Sequence, residues 1–383
     1  MARAATTGAY SVAVSLRPDA CPGVFALHDA ADGALARVRL PGGAIDAAAL
    51  QVVAGCAEDL GDGAVHLTSR GNLQLRGLRR DDPRLAARLA AAGLLPSTTH
   101  ERARNVLASP LSGIAGGLAD VRDLTRELDR ELCARPALAA LSGRFLFALD
   151  DGRGDVVHED PDLCWQAVEP DAGLLRVAGE PVAQVPRAGA VAALLDAAEQ
   201  FMAGADGAWR LPDVAAGPRD ISAPPPVGSA EPRGVVRGKH CQGDVFHARP
   251  VGWVDGGRAL VCAPVLGEMS AAQVHVLADT AARVVITPWR TIVLPDAAAR
   301  ADARLAAAGF VVDPASPVPL VSACAGRPGC AKALADVRAD ARAGLAAGRF
   351  TERVHLSGCA RRCGSPHGPH HTLVALADGQ YTG

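Results

Sequence analysis

The chain repeats itself at one fixed distance. Ala87-Arg-Leu-Ala-Ala-Ala-Gly93 recurs as Ala303-Arg-Leu-Ala-Ala-Ala-Gly309, and Leu118-Ala-Asp-Val-Arg122 recurs as Leu334-Ala-Asp-Val-Arg338, each pair 216 residues apart. One alanine-rich word repeats by chance; two separate words at a single offset mark a duplicated unit. The fold is therefore expected to be built from two related halves. At 383 residues the chain is long enough for two or more cores.

The elements around the words agree. Leu35–Leu40 reads as a strand, and Asp46 is a plausible cap for a helix stopping near Gly61. Short strands Val65–Leu67 and Leu73–Leu78 flank Thr68-Ser-Arg-Gly-Asn72, and Asp82-Pro83 opens a second helix ending at Gly93. The order recurs: strand Ala259–Ala263, a helix capped by Ser270, strands Val284–Ile286 and Thr291–Leu294 around Thr287-Pro-Trp-Arg290, and a helix closing at Gly309. Each half places an arginine between two strands, Arg70 and Arg290, where both can face a shared cleft. The expected organisation is a first half-unit over 1–95, a first lobe over 96–214, a Pro/Gly-rich linker over 215–234, a second half-unit over 235–310 and a second lobe over 311–383.

Four cysteines fall in that last lobe: Cys324 and Cys330 spaced C-x5-C, then Cys359 and Cys363 spaced C-x3-C, all in Gly- and Pro-bearing sequence. Four thiolates from two short loops are what a cubane iron–sulfur (4Fe–4S) cluster needs, and small residues let backbone wrap a compact core. Structural zinc also takes four thiolates, but its paired ligands usually lie two to four residues apart. At the 216 offset Cys324 faces Ala108 and Cys330 faces Ile114, so the cluster site exists in one half only. Cys21, Cys56, Cys133, Cys164, Cys241 and Cys262 lack paired spacing and read as core or incidental.

A net charge of −2 with pI near 6.6 argues against a nucleic-acid footprint. No apolar run approaches the roughly 20 residues that span a bilayer, and the N-terminus lacks a secretory apolar stretch. A soluble, reducing, cytoplasmic setting is the expectation. It argues against disulfides and suits iron–sulfur chemistry.

The segments His66-Leu-Thr-Ser-Arg-Gly-Asn-Leu-Gln-Leu-Arg-Gly77, Arg104-Asn-Val-Leu-Ala-Ser-Pro110, Ile286-Thr-Pro-Trp-Arg290 and the paired cysteines resemble the siroheme-type nitrite/sulfite reductase superfamily. Within it the chain looks most like the precorrin-3B synthases of aerobic cobalamin biosynthesis, as does the opening Arg17-Pro-Asp-Ala-Cys-Pro-Gly23. The resemblance implies an α+β fold: two ferredoxin-like half-units related by a pseudo-twofold axis, with α/β lobes completing each half. It implies a 4Fe–4S cluster on Cys324, Cys330, Cys359 and Cys363. In the reductases one cysteine bridges to siroheme iron, and Cys363 matches that position.

Two departures separate this chain from the reductases. They usually read Gly-Cys-Pro-Asn-x-Cys where this chain reads Gly358-Cys-Ala-Arg-Arg-Cys363. They also carry a Lys-Phe-Lys motif for an oxyanion where this chain reads Arg144-Phe-Leu-Phe147, so that Leu146 replaces the second cation. A pocket short of one positive charge should bind sulfite or nitrite poorly.

For the synthases, the resemblance implies oxygen-dependent hydroxylation of precorrin-3A at C-20 with closure of a γ-lactone. It further implies a non-haem iron beside the cluster, for which eleven histidines offer no distinctive two-His-one-carboxylate spacing. Precorrin-3A, like siroheme, is a flat ring edged with carboxylates, and guanidinium forks spread over a broad cleft suit it. Arg70, Arg76, Arg104, Arg144 and Arg290 supply five, with Asn72 and Gln74 alternating with Arg76 on one strand face. His66 abuts the Arg70 motif at a strand end, where packing is the commoner role. His367-Gly-Pro-His-His371 reads as a solvated loop. No G-x-G-x-x-G follows a strand, so electrons are expected from an external donor, NAD(P)H through a reductase or a ferredoxin. The competing readings are a siroheme nitrite or sulfite reductase and a non-enzymatic tetrapyrrole or cluster carrier.

Overall fold

The structure, a computed structural model, describes residues 19, 21–204, 208–213 and 251–383. The expected linker over 215–234, Cys241, and Arg17, Pro18 and Ala20 of the opening segment lie outside the described residues.

The first half runs β1 (His28–Ala30), β2 (Gly33–Val38), β3 (Ala44–Asp46), α1 (Ala47–Leu60), β4 (Ala64–Leu67), β5 (Leu73–Leu78) and α2 (Arg84–Ala91). The second repeats it as β11 (Gly252–Val254), β12 (Ala259–Cys262), β13 (Glu268–Ser270), α5 (Ala271–Thr280), β14 (Arg283–Ile286), β15 (Ile292–Pro295) and α6 (Ala301–Ala307). The helices start where the caps say. The Asp46 carboxylate accepts the Ala49 N–H at 2.7 Å, and Ser270 with Gln273 closes a reciprocal capping box.

Each half forms a five-stranded antiparallel sheet, and each sheet borrows one strand. The first has the order β1-β2-β5-β4-β13, the second β11-β12-β15-β14-β3. Met269 of β13 sits opposite Val65, and Ile45 of β3 sits opposite Val284. The exchange is reciprocal, as a twofold relation between halves requires. Helices α1 and α5 lie together over both sheets. Leu50, Val53, Leu73 and Leu75 of one half share a single core with Leu260, Met269, Leu277 and Ile292 of the other.

Two lobes complete the halves. In the first, β6 (Val106–Ala108), α3 (Arg122–Ala134), β7 (Phe147–Asp150), β8 (Leu163–Glu169), β9 (Ala172–Val177), β10 (Glu180–Pro186) and α4 (Ala190–Gly204) follow in order. In the second, β16 (Val321–Ala323), α7 (Val337–Ala346), β17 (Val354–Ser357), β18 (His371–Ala375) and β19 (Tyr381–Thr382) do so. Both pair their first three strands parallel and the next antiparallel. No helix among the described residues is long and apolar enough to cross a membrane.

The 216-residue offset holds for only part of the chain. The caps Asp46 and Ser270 lie 224 apart, and the hairpin turns starting at Thr68 and Thr287 lie 219 apart. The distance shrinks largely because α1 has 14 residues and α5 has 10. The offset pairing of Cys324 with Ala108 is therefore corrected, and Arg70 and Arg290 occupy neighbouring rather than equivalent turn positions. The counterpart of Arg70 is Trp289, while Arg290 takes the place of Gly71, both with positive φ, 60° and 63°. Cys324 follows β16 as Ser109 follows β6, so its counterpart is Ser109 and not Ala108.

Candidate functional site

Parallel pairing brings the cysteine loops to one place. Strands β16 and β17 run side by side, with Ala323 opposite Leu356, so Cys324 and Cys359 emerge from the same sheet end. The Gly358 N–H donates to Cys324 Sγ at 3.2 Å, and the Leu334 N–H donates to the Gly358 carbonyl at 2.7 Å. A Cβ at Gly358 would lie 2.6 Å from the Ala333 Cβ, so only glycine lets the loops close this tightly. The Cys363 thiol is pushed up by burial and then by Cys324, Cys359 and Cys330, which puts all four thiols within electrostatic reach.

This donor set fits a cluster better than zinc. With Zn–S bonds of about 2.3 Å, a tetrahedral zinc needs all four sulfurs within about 4 Å of one another. Among the described residues, the group of metal-ligating atoms within 4.8 Å of one another is Asp150, Asp151 and Asp155, so no three of these sulfurs are that close. Four thiols from two loops, with the Gly358 N–H aimed at one sulfur, suit a metal–sulfide core.

A cleft of about 470 Å³ opens beside the loops, bordered by Cys324 and Cys363. Its other wall is the outer face of the first sheet, with Arg37, His66, Gln74 and Arg76, joined by Arg290. Arg76 is already engaged, with two 2.8 Å bonds to Asp32 and a third to the Gly329 carbonyl, so it ties the sheet to the first cysteine loop. Arg290 donates to the Gly364 carbonyl at 2.9 Å, and burial with Arg338 nearby lowers its pKa to about 10.

The other sequence candidates are elsewhere. Asn72 turns inward, accepting the Leu40 N–H at 2.8 Å and donating to Asn105, and so is a structural residue rather than part of the exposed face. Arg104 is held by Asp129 at 2.7 and 2.8 Å and borders a different cleft of about 360 Å³, under α3. Arg144 is exposed and lies over the Trp209 ring at 5.3 Å. Arg70 reaches the Gly143 carbonyl at 3.4 Å, and burial beside Arg210 and Arg37 lowers its pKa to about 10.

Two residues were missed. Arg37, on β2, borders the cleft beside the cysteines, whereas Arg39, just past the strand end, borders the cleft under α3 with Arg104. Arg39 is 1% exposed, yet among the described residues its two terminal nitrogens have no hydrogen-bond partner, and neither does Arg37 Nε. Burial, then Arg37, lowers the Arg39 pKa to about 9. Buried, unpaired guanidinium groups are costly unless an anion completes them. The signal in the sequence was the Arg37-Val-Arg39 alternation ahead of Leu40-Pro-Gly-Gly43.

His66 borders the cleft between Asp62 and Glu268, 3.7 and 3.6 Å away. The C-terminal histidines are not simply a solvated loop: His371 opens β18, and His370 contacts Ser365 and the edge of buried His355. Cys56, Cys164 and Cys262 are buried, as their lack of pairing suggested.

At the same sheet end of the first lobe sits a knot of carboxylates. Asp150 accepts the N–H groups of Gly152 and Gly154 at 2.9 Å, and Ser109 donates to Asp155 at 2.6 Å. Burial and Asp150 hold the Asp155 carboxyl up at about 8.

Residues 28–92 match the family described as the nitrite/sulfite reductase ferredoxin-like half domain. The solved structure of the Mycobacterium tuberculosis NirA protein superposes with a TM-score of 0.61 over 87% of this chain and 69% of that one, at 22% identity, a likeness of fold. The chain thus has the mixed α+β fold of the nitrite/sulfite reductases, with ferredoxin-like half-units. Along its whole length it is a relative of a precorrin-3B synthase of Sinorhizobium sp, 28% identical over 97% of this chain and 84% of that protein. Ferredoxin–nitrite reductases of Synechococcus elongatus and Leptolyngbya laminosa are 34% and 33% identical, over 37% and 32% of this chain and only 29% and 26% of their own length.

Proposed function

We propose that the chain is an oxidoreductase of cobalamin biosynthesis, a monooxygenase of the precorrin-3B synthase kind acting on precorrin-3A and O2. The observation that carries this reading is the whole-length similarity to a precorrin-3B synthase, against reductase matches that span about a third of the chain. A second observation agrees. Leu146, where the reductases usually carry a cation, is 2% exposed and packs among Leu107, Ala148, Val156 and Cys164. That side chain offers nothing to a small oxyanion.

In this reading Cys324, Cys330, Cys359 and Cys363 hold a 4Fe–4S cluster, which supplies electrons one at a time when bound. Arg37 and Arg290, which line the cleft, receive carboxylates of the tetrapyrrole, and their fixed positions set its orientation there. Arg76 holds the first cysteine loop against the sheet. Arg104 and Asn72 support the fold. Hydroxylation at C-20 leaves one oxygen atom of O2 in the product and the other in water, with two electrons drawn from an external donor.

The test is incubation of air-free purified protein with precorrin-3A, a reductant and ¹⁸O2. One labelled oxygen in the product is the expected result, with an iron–sulfur absorption shoulder and no strong haem bands. Haem bands with nitrite or sulfite turnover would establish the siroheme reductase instead. Tetrapyrrole binding without turnover would make the chain a carrier.

A further inference from the structure

Each half-unit ties down one cysteine loop with an arginine, and the two ties differ. Arg76 of the first half donates to the Gly329 carbonyl at 2.8 Å, next to Cys330. Arg290 of the second half donates to the Gly364 carbonyl at 2.9 Å, next to Cys363. Both arginines line the cleft of about 470 Å³. Arg76 is already neutralised, since Asp32 takes two of its N–H groups at 2.8 Å. Arg290 is not: its bond to Gly364 uses Nη2, and among the described residues no carboxylate stands in ion-pair contact with it. A guanidinium carries its donors in a rigid fork, so one edge can keep a carbonyl while another takes a carboxylate.

The Arg290 side chain has a fixed path. A Cβ on Gly267 would lie 2.7 Å from Arg290 Cδ, and one on Gly364 would lie 2.9 Å from its Nη2, so the stem crosses one glycine and ends on the other. Its base is held as well. The Arg290 N–H closes a turn onto the Thr287 carbonyl at 3.2 Å, and the neighbouring Trp289 Nε1 donates to Glu159 at 2.7 Å. The two cysteine loops, by contrast, are held unequally. The first is laced from within: the Arg327 N–H donates to Ala335 at 3.0 Å, Cys330 to Gly326 at 2.8 Å and Ala333 to Cys330 at 3.0 Å. The second is closed by longer turn bonds, Arg362 to Cys359 at 3.3 Å and Ser365 to Arg362 at 3.1 Å, and Cys363 and Gly364 are exposed. The Arg290 bond anchors that segment to the half-unit.

We propose that Arg290 is a positioning residue that couples the cleft to the Cys363 loop. A carboxylate of the tetrapyrrole, received on the free edge of the fork, immobilises the guanidinium. The guanidinium in turn immobilises Cys363 and Gly364 through the Gly364 carbonyl. The proposal rests on the tetrapyrrole reading above and adds a regulation to that site: ligand in the cleft stiffens the second cysteine loop and leaves the first as it was. Such coupling is reciprocal, so a stiffened loop also favours the bound ligand.

The test is hydrogen–deuterium exchange on the air-free full-length protein, with and without saturating uroporphyrin III, a flat tetrapyrrole edged with acetates and propionates. Ligand should slow exchange of wild-type peptides spanning 359–365 about tenfold, and should change peptides spanning 326–333 less than about twofold. Arg290→Lys keeps the charge but loses the fork, so it should still bind uroporphyrin, about tenfold more weakly, while the slowing at 359–365 disappears. Gly267→Ala reaches the same end by another route, since its Cβ obstructs the Arg290 stem without touching the charge, and it too should lose the slowing. A ligand that merely covers the loop would slow exchange equally in wild type and both variants. That result, or wild-type binding with no slowing at all, overturns the coupling and leaves the tetrapyrrole reading standing. Failure of wild-type protein to bind uroporphyrin overturns both.

Discussion

The two lobes share strand order and helix position, yet at the same sheet end they hold opposite chemistry. In the first, Ser109 and three aspartates form a knot satisfied by backbone N–H groups and Arg153. In the second, Cys324 replaces the serine, glycine replaces bulk, and Cys324 and Cys363 border a broad cleft. The parallel strand ends supply an opening in both. What fills it depends on a handful of side chains, so the scaffold alone says nothing about which lobe is the working one.

The sharpest way to break the contrast is to exchange the equivalent residues. Cys324→Ser should lose essentially all bound iron, whereas Ser109→Cys should gain none, because its lobe lacks the other three thiols; iron analysis of air-free protein reads both. Next comes the arginine division. Arg37→Met and Arg290→Met, in the cleft beside the cysteines, should each weaken binding of a polycarboxylate tetrapyrrole about 10- to 100-fold, the scale of a lost charge-assisted bond. Arg104→Met should leave that affinity alone and instead lower unfolding stability by about 2 kcal/mol in urea, since it strands Asp129. Equal affinity losses in all three would erase the distinction between the clefts.

The smallest effect concerns the aspartate knot. Asp155 binds its proton up to about pH 8 when folded, well above the ordinary carboxylate range. Between about pH 4 and 8 the folded state therefore holds a proton that the unfolded state has released, and stability falls as pH rises through that window. Asp155→Asn keeps the Ser109 bond without the charge. Its melting temperature should match the wild type's below about pH 4 and exceed it by several degrees at pH 8.

Local signals were legible in the sequence. Asp46 and Ser270 cap their helices, the hairpins form around Thr68 and Thr287, and the cysteine loops converge as their spacing implied. Non-local ones were not. Strands β3 and β13 have three residues each, too short for any periodicity, and their partners lie in the other half. Asn72 has the alternation of a face residue but is turned by the Leu40 N–H, a tertiary demand. Arg39 stands outside every motif in the sequence, and its burial with two unbonded terminal nitrogens among the described residues is visible only in the fold.

The reciprocal loan of β3 and β13 reaches beyond the site. Neither half owns a finished sheet, so a fragment made alone would present an unpaired strand edge and the bare apolar faces of α1 or α5 to water. Severing the chain between the halves should yield two insoluble pieces when each is expressed singly and one soluble heterodimer when they are made together. The duplicated gene product has become indivisible: a cleft lined from both sides cannot come apart without the whole protein coming apart with it.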